Sequence, residues 1–527
     1  MKTRSFLLST LAVFIFAGCS SEDAREGNIP GGELDGKAYL SLSLQSHTAT
    51  SRAANVEEKP GSSGESKAGT VKVLLFDEDD VCLDVVGFDG LTVGNSGGAD
   101  AGGAGTPEAA VSEAKLVPEK TKKVFVVINP YADGNKGWNL TADAVKGKPW
   151  SVINTAIEAA IANIATNDNF MMASAGKGAG IEGALTGVTV HKPTAYTTDA
   201  INQAKTDAQN SPEEISVDRL SAKVELAVKA PFTTKPDGAT FAFSGWELSV
   251  TNKSVKLYSE LITYDNATNG AVYRRDKNYL KSEQPDLTSD METNMDAAFN
   301  YLKNIDNDAD LIPEVKRDKG TSCYCLENTM DANAQQLGFT TKVVVKAQYT
   351  PNVLTPNSSY FSWKGNYYTL DQLKEEYTKT GSGGLKTDLP IFLKKAKLVA
   401  GDADQSTIDN FITNLQASGL TAKTGIIGRF CAVRYYHESV CYYDVLIRHD
   451  QSVTDKMALG RYGVVRNNWY HLDLQSVSGP GTPWIPDPSD PDNPTPPDTD
   501  DDEADAYLSV KITINPWTYW TQGVDLH

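Results

Sequence analysis

The segment KAYLSLSLQSH, residues 37–47, returns in altered form near the other end of the chain as DAYLSVKITIN, residues 505–515. In both segments apolar and polar residues alternate with a period of two, which is typical of a β-strand with one buried face. The apolar faces are Leu40, Leu42 and Leu44 in the first segment and Leu508, Val510, Ile512 and Ile514 in the second. Because both begin Ala-Tyr-Leu-Ser, the two strands could compete for one groove, although strands of a β protein also resemble one another by chance.

Period-two segments dominate the rest of the chain as well. The strand-like runs are VKVLLFDEDD (71–80), VCLDVVGF (81–88) and KKVFVVINP (122–130), and further strands are predicted in ATFAFSGWELSVTN (239–252), FTTKVVVKAQYT (339–350), CYYDVLIRHD (441–450) and NNWYHLDLQSV (467–477). Helical spacing is clear in residues 150–169, where isoleucines recur at intervals of three and four, and a polar insertion at 285–335 also has helical character. We therefore predict a mainly β protein with two β-sandwich domains of the transthyretin-like or Greek-key kind in series, and a few surface helices.

The N-terminus has the pattern of a secretory leader. Lys2 and Arg4 precede an apolar run at 6–16 that is too short to span a membrane comfortably, and Ala17-Gly18-Cys19 follows. This pattern predicts a signal peptide that ends in a lipobox, so that Cys19 becomes the acylated first residue. An ordinary signal cleaved near Ala17 is the alternative.

Composition and motifs argue against several classes of function. With 49 basic and 68 acidic residues the net charge is -19, which disfavours nucleic acid or an anionic membrane surface as a primary partner. The six histidines form no HExxH motif or other close pair, and neither a P-loop nor a nucleophile elbow is present. Scattered carboxylates could still build a glycosidase pair. We expect no enzymatic activity, no metal site and no cofactor.

Five cysteines remain once Cys19 is assigned to the lipid: Cys82, Cys323, Cys325, Cys431 and Cys441. An odd number without a CxxC motif is not a disulfide framework. The last two flank a possible hairpin and could pair, but buried, unpaired thiols are the alternative.

Residues 479–505, GPGTPWIPDPSDPDNPTPPDTDDDEAD, form an Asp/Pro segment. Proline fixes φ and like-charged aspartates repel, so the composition predicts an extended, semi-rigid spacer, which we favour over a weak calcium site. At ~3.1 Å per residue it would span on the order of 70 Å. That length could carry the last strand to a neighbouring molecule.

These features together resemble the fimbrillin family of Bacteroidales, the subunits of type V pili, and in particular its short-fimbria major subunits of the Mfa type. The stretches that carry the resemblance are FAGC ending at Cys19, TSRAAN (50–55), NFMMASAGKG (169–178), SVDRLSAKVELAV (216–228), GVVRNNWYHLDLQSVSGPGTPWIPDPSDPDNP (463–494) and ITINPWTYW (512–520). Within the longest stretch, Arg466-Asn467-Asn468 and Tyr470 form an RNN-x-Y element.

The resemblance implies a route of maturation. The family's precursor is lipidated, carried to the outer membrane and cut by a surface protease after a basic residue just past the first strand. On this sequence the cut falls between Arg52 and Ala53, because cleavage at Arg25 or Lys37 leaves residues 38–47 attached. Removal of this placeholder strand opens a groove, and the C-terminal donor strand of the next subunit fills it.

The implied division of the chain is a signal peptide at 1–18, a propeptide with tether and placeholder strand at 19–52, an N-terminal sandwich at 53–218, a C-terminal sandwich at 219–478, the spacer at 479–505 and the donor strand at 506–527. The implied partners are further copies of the chain, accessory fimbrial subunits, a surface protease, and host or bacterial receptors. The subunit would reside in a cell-surface fimbrium, with membrane contact only through the precursor's lipid.

A second hypothesis is a monomeric outer-membrane lipoprotein with a glycan-binding β-sandwich. Trp138, Trp246, Trp363 and Trp484 could then form a sugar platform, although packing in a core explains such residues more often.

Overall fold

The computed structural model describes residues 34–46, 59–88, 90–94, 110–133, 136–176, 183–263, 272–304, 315–379, 383–450, 452–503 and 507–518. Strands dominate these residues and the helices are short, which confirms the predicted mainly β class. No helix in the described part of the chain is long and apolar enough to cross a membrane.

The N-terminal part contains one large sheet and several short strands. Its strands are β1 (Lys37–Leu40), β2 (Leu42–Ser46), β3 (Lys59–Pro60), β4 (Val71–Phe76), β5 (Cys82–Gly87), β6 (Val93–Gly94), β7 (Lys115–Pro118), β8 (Lys123–Ile128), β9 (Ala132–Asp133), β10 (Lys136–Gly137), β11 (Ile157–Glu158), β12 (Ala165–Thr166), β13 (Asn169–Phe170), β14 (Met172–Ser174), β15 (Thr186–Gly187) and β16 (Glu213–Arg219). The sheet order is β5-β4-β8-β14-β16-β2-β6, with β15 also paired to β8, while β1 pairs with β7.

Both faces of this sheet are buried. One face carries the apolar cluster that holds Leu42, Val73 and Val126, and the opposite face carries a second cluster that includes Leu74 and Phe125. Alternate residues of a strand point to opposite faces. Strands such as VKVLLF and KVFVVI are apolar at every position but one because both faces are covered.

The C-terminal part forms a β-sandwich. Its strands are β17 (Ser221–Thr234), β18 (Thr240–Ser249), β19 (Thr251–Asn252), β20 (Ser254–Val255), β21 (Glu260–Thr263), β22 (Val272–Arg275), β23 (Phe299–Asn300), β24 (Ser322–Leu326), β25 (Lys342–Thr350), β26 (Tyr360–Trp363), β27 (Asn366–Tyr368), β28 (Val433–Tyr436), β29 (Val440–Leu446), β30 (Asn468–Val477) and β31 (Leu508–Thr518). The sheet β24-β17-β30-β31-β3 packs on the sheet β18-β25-β29. Their shared core includes Leu226, Trp246, Val345 and Leu472.

The helices differ from the prediction. They are α1 (Ser63–Ser66), α2 (Ala142–Val145), α3 (Trp150–Ile153), α4 (Ile161–Ile164), α5 (Thr198–Asn210), α6 (Met291–Ala298), α7 (Leu370–Thr378), α8 (Leu385–Lys395), α9 (Gln405–Asn414) and α10 (Ala422–Ile427). The single helix predicted at 150–169 is wrong. The chain leaves the helix at Asn154, and Ile157 then pairs with Val255 of the C-terminal part, so tertiary contact overrides the isoleucine spacing.

A helical insertion with its own core was not predicted. Helices α7 to α10 lie between β27 and β28, and their apolar faces meet in a cluster that includes Leu373, Phe392 and Ile412. In the polar insertion at 285–335 the described helix is α6, and residues 305–314 lie outside the described part.

The Asp/Pro segment packs on the C-terminal sandwich, so the prediction of a solvated, extended spacer is wrong for residues 479–503. Trp484 and Ile485 are buried, and several of the aspartates have cationic or hydroxyl partners. Asp490 pairs with Arg429 at 2.5 Å, and Asp502 receives hydrogen bonds from Nε and Nη2 of Arg461. These pairs fix the segment to the sandwich as far as Asp502, although most of residues 491–500 between them are exposed.

Two adjacent aspartates of this segment are predicted to respond oppositely to substitution. Burial raises the pKa of Asp501 to about 8, whereas the pKa of Asp502 is lowered, because hydrogen bonds from Arg461 and neighbouring donors outweigh its own burial. Native Asp501 therefore keeps a proton that the unfolded chain releases near pH 3.8. Its favourable contribution is full below that pH and is lost as the pH rises through about 8.

We expect Asp501→Asn to raise the free energy of unfolding at pH 8 by on the order of 2 kcal/mol, with little effect near pH 4. Asp502→Asn should lower it at pH 7, since it leaves Arg461 without its charged partner. Urea denaturation at several pH values measures both variants. Equal effects of the two substitutions at pH 8 would contradict the assignment.

Candidate strand-exchange site

The first strand fills an internal position of the N-terminal sheet, between β16 and β6. Strand β2 runs parallel to β16, with Leu42 beside Glu213, Ser43 beside Glu214 and Leu44 beside Ile215. On its other side Leu44 pairs with Val93. We call the position that residues 37–46 occupy the β2 slot.

The apolar face of the first strand is fully buried. Leu40, Leu42 and Leu44 are each no more than 1% exposed and lie in a cluster with Val126 and Ile215. These three leucines therefore fill a groove in the sheet, as the alternation in the sequence predicts.

The opposite face is buried too, which the alternation did not predict. Ser41 is 1% exposed, and Tyr39 is 3% exposed beneath α5, where it contacts Ile201 and Ala204. The backbone amide of Leu42 also has a hydrogen-bond partner, because it donates to the hydroxyl oxygen of Ser112 at 2.9 Å. Without residues 37–46 the slot would lose contacts on both faces.

The C-terminal strand completes its own sandwich. Strand β31 is antiparallel to β30, from Asn468 beside Pro516 to Val477 beside Leu508. Leu508 and Ile512 are buried and Val510 is half-buried in the sandwich core, whereas the side chain of Ile514 lies outside the described residues. The sequence did not indicate this closed arrangement, in which the proposed donor is held by its own chain.

The outer edge of β31 is nearly uncovered within the described residues. Only β3 pairs with it there, at Trp517 and Thr518. Since β2 ends at Ser46 in the N-terminal sheet and β3 begins at Lys59 in the C-terminal sheet, residues 47–58 connect the two sheets. Arg52 and Ala53 belong to that connection, and they lie outside the described residues, as does Cys19.

Strands β16 and β17 form an almost continuous connection between the two sheets, and residues of the RNN-x-Y element bind to it. Strand β16 ends at Arg219 and β17 begins at Ser221, with buried Leu220 between them. The side-chain oxygen of Asn467 accepts from Nη1 of Arg219 at 3.2 Å, and its amide nitrogen donates to Asp218 at 2.9 Å. Arg274 also pairs with Asp218.

The other members of the RNN-x-Y element stabilise the same junction. Arg466 donates to Glu327 at 2.9 Å and to the carbonyl oxygen of Leu257 at 2.9 Å. The hydroxyl of Tyr470 accepts from the amide of Val465 at 2.8 Å. The motif is thus structural, and it fixes how the N-terminal sheet meets the sandwich.

Glu65 is a junction residue that the sequence analysis missed. Its carboxylate accepts from Lys223 at 2.8 Å and from the hydroxyl of Tyr324 at 2.5 Å, and Lys223 lies 3.8 Å from the ring centroid of Trp469. Burial alone would raise the pKa of Glu65, but these hydrogen bonds and one from the amide of Ser62 lower it below its usual value. The capping-box spacing of Ser62 and Glu65 was the available signal.

Other candidate chemistry is not assembled. Trp138, Trp246, Trp363 and Trp484 are each at most 9% exposed, so these residues do not form an open sugar platform. The five described cysteines are free, including Cys431 and Cys441, and four of them are buried. Burial raises the pKa of Cys441 to about 11, so its thiol stays protonated. Among the described residues no group of His, Cys, Asp or Glu could hold a metal ion.

Asn467 adopts φ of 58°, a left-handed conformation that glycine and asparagine tolerate best. Asn467→Gly tolerates this backbone conformation but loses the side-chain hydrogen bonds to Arg219 and Asp218. Asn467→Ala loses the same hydrogen bonds and also strains the backbone. We expect destabilisation by about 2–4 kcal/mol for alanine and about 1 kcal/mol less for glycine. Urea denaturation compares the two; a more stable alanine variant would contradict this account of the junction.

The comparisons with known proteins support one family. Residues 434–523 match the family model described as "Major fimbrial subunit protein type IV, Fimbrillin, C-terminal". This range includes β30, the Asp/Pro segment and the described part of β31. No curated protein matches the chain.

Several solved structures are similar at low sequence identity. A putative cell adhesion protein from Parabacteroides distasonis is 13% identical with a TM-score of 0.41, and the alignment covers 93% of this chain and 99% of that chain. A fimbrilin (fimA) from Porphyromonas gingivalis is 14% identical, with a TM-score of 0.38 and coverage of 92% and 99%. The tip fimbrial protein Mfa3 from the same organism is 13% identical, with a TM-score of 0.33 and coverage of 91% and 100%.

With TM-scores below 0.5, these likenesses carry no argument by themselves. The support for the family comes from the family match, which covers the last two of the six stretches that carry the sequence resemblance, at 463–494 and 512–520. The match of residues 434–523 to the fimbrillin C-terminal model supports the resemblance to the fimbrillin family that the sequence predicts.

Proposed function

We propose that the chain is a structural subunit of a cell-surface fimbria that supports adhesion and polymerises by donor-strand exchange. The observation that carries the proposal is the β2 slot: a strand with three buried leucines lies at an internal position of the sheet, and a strand of the same pattern lies at the C-terminus. The family match at residues 434–523 supports the fimbrial role.

In this proposal the precursor is acylated at Cys19 and anchored in the outer membrane until a surface protease cuts between Arg52 and Ala53. Residues 47–58 connect a strand of the N-terminal sheet to a strand of the sandwich, so a cut there separates β2 from the rest of the folded chain. The part that follows the cut stays attached, because Glu65 is held by Lys223 and Tyr324. Other fimbrial subunits, and host or bacterial receptors, are the further partners.

Removal of the first strand would leave an apolar groove. Burying Leu40, Leu42 and Leu44 contributes ~1.5–3 kcal/mol each, so an empty slot is less favourable by roughly 5–9 kcal/mol before backbone pairing. The donor must first leave β30 of its own chain, where Leu508 and Ile512 are buried. During exchange the apolar side chains of the donor leave the core of their own sandwich and become buried in the β2 slot of the next subunit. The net driving force is that the β2 slot no longer stays empty.

The proposal is tested with the purified chain and an Arg-specific protease. Uncut protein should remain monomeric, and cutting at Arg52 should yield polymers that are visible by electron microscopy and resist dilution. An Arg52→Gln variant under the same protease is the control, and it should remain monomeric. Monomers after complete removal of residues 1–52 would contradict the proposal.

The donor assignment predicts the effect of a charge in the C-terminal strand. Val510 is only half-buried in its own sandwich, so Val510→Asp should fold, yet it places a carboxylate against the apolar face of the slot. We expect at least about a hundred-fold slower polymerisation, since burying an unpaired charge costs several kcal/mol. Val353→Asp, at a position that is 68% exposed, is the matched control and should polymerise normally. Normal polymers from Val510→Asp would refute the donor assignment.

A further inference from the structure

We propose that the donor strand enters the β2 slot of a second copy in one register and one polarity, with residue n of the donor in the place of residue n minus 468. Two side chains on the polar face of the donor fix this register. Tyr507 takes the place of Tyr39 beneath α5, and Lys511 takes the place of Ser43 beside Glu214. This inference rests on the proposed function and deepens it.

The apolar faces alone do not determine the register. A shift by two residues keeps Leu508, Val510 and Ile512 on the core side, because side chains repeat with a period of two. Aliphatic side chains of similar size would then fill the groove almost equally well. The residues on the opposite face must therefore distinguish one register from the next.

The site of Tyr39 is a specific pocket for a tyrosine. Its ring is 3% exposed, packs against Leu34, Ile201 and Ala208, and has Nζ of Lys205 5.6 Å from its centroid. Tyr507 is 44% exposed in its own chain. Transfer to the pocket would bury an aromatic ring that is partly exposed in its own sandwich, and a shift by two residues would place Asp505 or Ser509 there instead.

Glu214 provides a charge partner for Lys511. Its Cα is paired with that of Ser43, so the two side chains share a face, and Glu214 is exposed. In the closed chain Lys511 is exposed and lies beside Asp473 of β30. The proposed register thus moves the ammonium group from one neighbouring carboxylate to another, whereas Ser509 or Thr513 beside Glu214 would leave Lys511 without such a partner.

Engineered disulfides test the register directly in the full-length, protease-cut protein. In a Cys323→Ser background, we compare Glu214→Cys combined with Ser509→Cys, Lys511→Cys or Thr513→Cys. A shift by two residues moves a Cα by roughly 6.6 Å, which is too far for a disulfide to form without backbone movement. We expect the 214–511 pair to cross-link neighbouring subunits and the other two pairs to fail.

A second pair tests the polarity. Gln45 lies beside Ser216, so the proposed orientation places Thr513 there, while a reversed strand centred on the same pair places Ser509 there. Ser216→Cys should therefore cross-link with Thr513→Cys and not with Ser509→Cys. Preferential 214–509, 214–513 or 216–509 cross-links would overturn the register or the polarity while leaving strand exchange intact. A cut protein that forms neither polymers nor cross-links would overturn the proposed function as well.

Charge reversal tests the ion pair. Glu214→Lys on the receiving chain should slow polymerisation about 3- to 10-fold, and Glu214→Gln should slow it less. When the receiving chain carries Glu214→Lys, Lys511→Glu on the donor chain should restore the rate. Lys386→Glu, an exposed residue of the helical insertion, makes the same change in net charge as Lys511→Glu and should not restore it. The role of the Glu214–Lys511 pair would be overturned if Glu214→Lys left the polymerisation rate unchanged, or if Lys511→Glu and Lys386→Glu restored the rate equally.

Discussion

A β-sheet that lacks an internal strand exposes an apolar groove and two rows of unpaired backbone groups, and this molecule keeps such a gap filled. Residues 37–46 fill it with three leucines on one face and Tyr39 on the other. The same residues are joined through 47–58 to a segment that belongs to the sandwich. The strand that completes the N-terminal sheet is thus separable from the remaining chain by one cut, without loss of any other strand of that sheet.

The junction between the two sheets explains why such a cut need not unfold the molecule. Arg219, Asn467 and Asp218 form one buried network, and Glu65 joins Lys223 to it from the N-terminal side. Every one of these residues follows the proposed cleavage point. The framework around the slot therefore depends on contacts that the first strand does not make, which is what an acceptor of an exchanged strand requires.

Much of the fold was predictable from local pattern. The alternation in residues 37–46 predicted a strand because period two reflects burial of one face, and short apolar runs such as VKVLLF predicted strands buried on both faces. The capping box at Thr369 and the N-cap at Asp404 are local signals for α7 and α9, which were not predicted from the sequence. In contrast, the isoleucine spacing at 150–169 was misleading. The isoleucines pack on one face of the N-terminal sheet, but the segment that carries them is divided into α3, β11 and α4 and is not one helix.

The packing of the Asp/Pro segment could not have been inferred from its composition. Its aspartates find Arg429 and Arg461, which lie tens of residues away and are brought near only by the fold. The closed position of β31 is equally non-local, since a strand pattern indicates a strand but not its partner. Local sequence therefore identified the two related strands, while the contacts that hold each of them required the structure.

The most direct test of the central claim is the N-terminal residue and intact mass of the protein recovered from the native cell surface. The account predicts a chain that begins at Ala53 and carries no lipid. A chain that begins at acylated Cys19 and retains residues 38–47 would contradict it, because the β2 slot would then remain filled by its own strand.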